Sequence, residues 1–97
     1  MSYRYSFKSA FQKSFDELSE ESKQLVLKAL EAINLYLKTG HASYGLRIKK
    51  LHETSRSKTL EARVNLALRV IWVQTKDEIV FALLGNHDEV RRFINRF

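Results

Sequence analysis

Three groups of residues have the types and spacing to do chemistry. The first is the junction Leu84-Gly85-Asn86-His87-Asp88-Glu89-Val90, where an apolar run ends and a helical pattern begins. Gly85 permits a sharp exit from a strand, and Asn86 with Glu89 matches a helix-capping box. That places His87 in the first turn of a helix at the end of a buried strand, where an imidazole can exchange protons near neutral pH. The second group is Arg63 and Arg69, on neighbouring strand-like segments. Arg69 shares a face with Ile71 and Val73, and an arginine held by packing is pre-organised to grip a phosphate with two N–H groups at once. The third is the basic run Arg47, Lys49 and Lys50, suited to a polyanion backbone. Each group also has a plainer reading. These are a histidine that only starts a helix, arginines that only pair with Glu53 or Glu61, and a solvated basic strand.

Other chemistries lack their residues. No nucleophile elbow, P-loop or dinucleotide fingerprint is present. The dipeptide His87-Asp88 also occurs in metal-dependent HD phosphohydrolases, but those are all-helical and need several further His and Asp ligands. His41 and His52 form no ligand spacing with each other. There is no cysteine, hence no disulfide and no thiolate metal site, which fits a reducing cytoplasm. Neither a metal nor a small-molecule cofactor is expected.

Charge is open to two readings, a polyanion partner or solubility alone. The net charge is +6, from 17 basic and 11 acidic side chains. Residues 1–45 hold six basic and five acidic residues (+1), whereas residues 46–97 hold eleven and six (+5). An excess clustered in this way attracts polyanions and speeds encounter with them.

The elements that must position these residues follow from periodicity. Tyr3, Tyr5 and Phe7 alternate with polar residues as a first strand, and Ser9 with Gln12 matches a capping box for a short helix burying Phe11, Phe15 and Leu18. Ser19 before Glu20 and Glu21 caps a second helix, with Leu25, Val26, Ala29, Leu30, Ile33 and Leu37 at helical spacing and Gly40 beyond its end. The two helices make an antiparallel hairpin. The period then falls to two. Leu46, Ile48 and Leu51 punctuate a basic strand, residues 53–58 have loop composition, and Leu60, Ala62, Val64 and Leu66 alternate with polar residues, which turns Arg63 outward. Residues 69–74 are β-branched and aromatic, residues 75–78 a turn, and residues 79–84 apolar on both faces, as in a covered strand. Val90, Phe93, Ile94 and Phe97 give a last helix one apolar stripe.

The expected order is β-α-α-β-β-β-α, an α+β domain with a helical hairpin packed on a small, mainly antiparallel sheet. At 97 residues and 44% hydrophobic, the whole of residues 1–97 reads as one domain with one core. The N-terminus has no apolar run behind its charge, so it does not read as a signal peptide. No stretch approaches the roughly 18 apolar residues of a membrane span, so a cytoplasmic protein is expected.

Together these pieces resemble the RelE/ParE superfamily of bacterial toxins. The matching segments are Gly45-Leu-Arg-Ile-Lys-Lys-Leu51-His52, Glu61-Ala-Arg63-Val-Asn65, Leu68-Arg69-Val70-Ile71 and Leu84-Gly85-Asn86-His87-Asp88-Glu89-Val90. The Tyr-Ser-Phe start and the Phe15-Asp-Glu-Leu18 helix end are similar too, so the likeness spans nearly the whole chain. It implies a strand, a helical hairpin, three antiparallel strands and a closing helix. It also implies the toxin of a type II toxin–antitoxin system, held inactive by a cognate antitoxin protein that lays a helix or an extended arm over the basic face and apolar grooves. RelE-type members cut mRNA on the ribosome without a metal. The 2′-hydroxyl attacks the adjacent phosphate, leaving a cyclic phosphate and a 5′-hydroxyl. By position, the resemblance implies that Arg69 holds the scissile phosphate, Arg63 supports it, and His87 is the general acid. Arg47, Lys49 and Lys50 would grip the RNA backbone. The chain departs from the pattern at Phe93 and Phe97, where many ribonuclease members carry a tyrosine, so the resemblance supplies no general base.

Two other classes compete. The ParE branch inhibits DNA gyrase without an active site, and a relative keeping only the fold would be an interaction protein. A double-stranded-RNA-binding domain also runs helix, three strands, helix, but its last helix opens with a lysine cluster. Here that helix opens Asn-His-Asp-Glu, which repels phosphate.

Overall fold

The computed structural model describes residues 3–96; Phe97, assigned above to the last helix, lies outside them. In chain order the elements are β1 (Arg4–Phe7), α1 (Ser9–Asp16), α2 (Glu20–Thr39), a 3-10 turn (Tyr44–Leu46), β2 (Lys49–Glu53), β3 (Lys58–Arg63), β4 (Arg69–Gln74), β5 (Glu78–Gly85) and α3 (His87–Ile94). The strands form one sheet in the order β1-β5-β4-β3-β2, with β1 parallel to β5 and every other pairing antiparallel. This is the expected α+β architecture of a helical hairpin on a mainly antiparallel sheet. The order β-α-α-β-β-β-α is short by one strand, since four rather than three follow the hairpin. The basic segment is too polar to be buried on both faces, yet its backbone still pairs with β3, and its lysines suit the exposed edge it occupies.

The sheet has two differently covered faces. On one, Leu60, Ala62, Val70, Trp72, Ile79, Phe81 and Leu84 pack against Phe11, Val26, Ala29 and Ile33 of the hairpin. Trp72 fits because its indole N–H donates to Gln74 Oε1 at 3.3 Å. On the other face Ile71, paired with Leu83, is fully buried on the side to which α3 brings Val90. The two ends of α2 behave as their sequence requires. Ser19 accepts from the Ser22 N–H, and Gly40 takes the left-handed φ of 77° while donating to Tyr36 O.

Three boundaries differ from expectation, each for a tertiary reason. Ser9 does not cap α1; the capping position is Lys8, whose side chain makes no capping bond. The Lys8 N–H donates to Phe81 O at 2.9 Å, so pairing with β5 carries the extended backbone through Lys8 and leaves Ser9 as the first helical residue. The strand expected from Leu46 starts at Lys49, because Leu46 is drawn into the core from a 3-10 turn and Arg47 reverses the chain at φ 45°. Finally, β3 stops at Arg63. Asn65 Oδ1 accepts from the N–H groups of Ala67 and Leu68, an Asx-type turn that leaves Leu66 87% exposed at its tip.

Candidate functional site

The alternation of β3 and its register with β4 decide where the basic residues meet. Arg63 lies directly opposite Arg69, and Lys49 opposite Glu61. Positions two apart share a face, so Lys49, Glu61, Arg63 and Arg69 all point away from the hairpin. On that side α3 leaves the end of β5. Between α3 and the strands runs a groove of about 440 Å³. Among the described residues its charged lining is Arg47, Lys49, Arg63, Arg69, Arg91, His87 and a single carboxylate, Glu61; Leu51, Val90 and Ile94 supply the apolar part.

The floor of the groove is electrostatically unbalanced. Arg69 Nη1 is 3.9 Å from Glu61 Oε1, with only 16% and 12% of the two side chains exposed. Arg63 has no acid so close among the ion pairs found, yet it faces Arg69 across the strands. Like charges directly opposed in a sheet are destabilising. In addition, Nε of both arginines is buried and makes no hydrogen bond. Buried donors are nearly always paired, so two orphaned N–H groups on facing cations mark a place suited to an anion with several acceptor oxygens.

The wall of the groove is set by the start of α3. Asn86 accepts from the Glu89 N–H at 2.9 Å, and Glu89 Oε1 accepts from the Asn86 N–H at 3.0 Å, which completes the capping box. Gly85 has a steric role here. A Cβ at this position would lie 3.0 Å from both Cβ and Oε1 of Glu89, so only glycine leaves room for the cap. His87 follows in the first turn, exposed, with Nε2 3.3 Å from Arg91 Nη2. A guanidinium only donates. A hydrogen bond across this contact has Nε2 as its acceptor.

Arg47, Lys49, Arg63, Arg69 and His87 are thus brought together. Lys50 is not. It shares the face of its partner Leu60, and its ammonium binds Glu53, holding that carboxyl below the usual carboxylate range. Phe93 lies in a separate depression with Leu83, Glu89 and Arg92. Arg91 and Glu61 line the groove without having been singled out as site residues. The signals were present: Arg91 is one helical turn after His87, and Glu61 is two strand positions before Arg63. Among the described residues no group of three His, Cys, Asp or Glu side chains is placed to hold a metal, and no helix is long and apolar enough to cross a membrane.

No protein-family model and no curated protein matches the sequence. Solved structures do. A chain of the archaeal RelE–RelB complex from Pyrococcus horikoshii OT3 aligns with a TM-score of 0.69 at 19% identity, over 89% of this chain and 96% of that one. The YoeB dimer of Staphylococcus aureus gives 0.66 at 15% identity, over 90% and 99%. The DinJ–YafQ toxin–antitoxin complex of Escherichia coli gives 0.66 at 13%, over 93% and 98%. Likeness that runs the length of both chains at so low an identity is likeness of architecture, and by it this chain has the fold of the RelE-like toxins.

Proposed function

We propose that this chain is the toxin of a type II toxin–antitoxin system and that it cuts mRNA on the ribosome. The observation that carries the proposal is the facing pair Arg63 and Arg69, each with a buried, unbonded Nε, on the floor of a groove walled by His87. The fold it shares with chains solved as toxin–antitoxin complexes supports the toxin role and an antitoxin partner. The unit that acts is the single domain of residues 1–97, working in the cytoplasm, where ribosomes are.

The chemistry assigned to the groove is attack of a ribose 2′-oxygen on the adjacent phosphorus. Arg69 and Arg63 hold the non-bridging oxygens and stabilise the charge that gathers there in the transition state. Glu61, the only carboxylate in the groove among the described residues, accepts the 2′-proton. His87 returns a proton to the departing 5′-oxygen, leaving a cyclic phosphate and a 5′-hydroxyl. Arg91, whose Nη2 lies 3.3 Å from His87 Nε2, is a further donor to the phosphate. Arg47 and Lys49 hold the flanking backbone. No metal takes part in this scheme.

Induced expression should arrest growth and leave mRNA cut within codons, and Arg69→Ala or His87→Ala should each abolish both effects. Toxicity unchanged in both variants would overturn the assignment. Filamentation and DNA damage with intact mRNA would instead indicate a gyrase inhibitor.

A further inference from the structure

Tyr44 is 90% exposed, more than any other large apolar side chain among the described residues. It begins the 3-10 turn Tyr44–Leu46, which Leu46 pins by inserting into the core. Arg47 comes next, the only non-glycine residue with positive φ among those described. A left-handed conformation costs an L-residue roughly 1–2 kcal/mol and persists where surrounding structure imposes it. Here the buried Leu46 on one side and the start of β2 on the other impose it. The result is that one guanidinium serves two places. Arg47 lines the groove, and its Cζ lies 5.9 Å from the centre of the Tyr44 ring. The ring itself is no part of the core cluster. Leu66, similarly bare, sits at the tip of a turn and lines no part of the groove.

We propose that Tyr44, with Arg47 beside it, is a stacking subsite for a nucleobase next to the phosphate held by Arg63 and Arg69. The inference rests on reading the groove as a phosphate site and adds to it the form of the ligand. A flat ring 90% exposed, with a guanidinium over it, suits a base that has left its own stack. Bases inside a duplex have both faces covered, so the ligand is single-stranded RNA. Stacking is tolerant of base identity, so the subsite contributes affinity and placement rather than a sequence code.

The test uses the purified full chain and a short single-stranded RNA carrying 2′-O-methyl groups, which block cleavage. A second oligonucleotide has the same backbone but lacks bases at the central positions. Fluorescence anisotropy should show the wild type preferring the base-containing strand by roughly 5- to 100-fold, the range of one base–aromatic stack. Tyr44→Ala should lose that preference while unfolding at the same temperature as wild type, and Tyr44→Trp should keep it. Arg69→Ala should weaken both strands alike. If Tyr44→Ala keeps the full preference while Arg69→Ala still weakens binding, the stacking subsite is wrong and the phosphate site stands. If the wild type binds neither strand, both fail. Loss of antitoxin affinity in Tyr44→Ala with RNA affinity unchanged would assign the ring to a protein interface and overturn the proposal.

Discussion

Replacing Arg63 with methionine should make the protein more stable while emptying its groove of function. Arg63 and Arg69 occupy directly opposed positions on β3 and β4. Side chains so placed start about 5 Å apart at Cβ, and two unit charges about 7 Å apart repel by about 2 kcal/mol at an effective dielectric near 20. Glu61, paired with Arg69, cancels part of this, leaving about 1 kcal/mol. The buried, unbonded Nε of Arg63 adds a desolvation cost of about 1–3 kcal/mol. Methionine keeps most of the aliphatic stem and removes both costs. The expected gain is about 2–4 kcal/mol, read as a rise in Tm of about 4–8 °C per kcal/mol for a domain of this size. Arg69→Met should not behave alike, because it strands Glu61, only 12% exposed, with Lys49 as its remaining cross-strand cation. Thermal unfolding followed by circular dichroism at low and high salt separates the terms. Salt should shrink the repulsive part of the gain but not the part due to the buried donor. A lower Tm for Arg63→Met, or equal shifts for the two variants, would refute the reasoning that the groove is held in an unbalanced state that an anion relieves.

Asn86→Ala removes the side-chain cap of α3 and should cost about 1 kcal/mol in urea unfolding; RNA cleavage should fall with it, and unchanged cleavage would mean that the start of α3 does not place His87. The two adjacent lysines should separate cleanly. Lys49→Ala should weaken RNA binding and reduce the slope of log affinity against log salt by about 0.7. Lys50→Ala should leave both unchanged, since Lys50 is on the opposite face with Glu53. It should alter only an acid-side dependence of stability. Lys50 depresses the Glu53 carboxyl, so the contribution of that pair is complete above the ordinary carboxylate value and fades as pH falls below it. An equal loss of RNA affinity in the two lysine variants would contradict the assigned faces.

Much of the site was legible because it lies on regular elements. Arg63 and Arg69 could be placed by alternation, and His87 by the Asn86–Glu89 cap, since both signals are local. Lys50 lies on the face opposite Lys49, which a run of basic residues does not reveal until the strand is known to begin at Lys49. Two apolar residues were also assigned wrongly to strands. Leu46 is consumed by the core from a turn, and Leu66 is spent on the tip of one. In both cases period-two spacing was real but was overruled, once by burial and once by the hydrogen bonds of Asn65.

By itself the sequence determined the α+β class, the hairpin with its Ser19 and Gly40 ends, the capped last helix and the basic second half. These depend on periodicity, caps and charge within a few residues of one another, and local forces suffice to set them. Only the tertiary structure decided that β1 pairs in parallel with β5, that the basic strand lies at the sheet's edge, and that Arg63 stands opposite Arg69. Register between strands is a long-range choice, settled by which faces must be buried against the hairpin and α3. That choice set two arginines face to face with buried, unbonded donors in the groove that His87 lines.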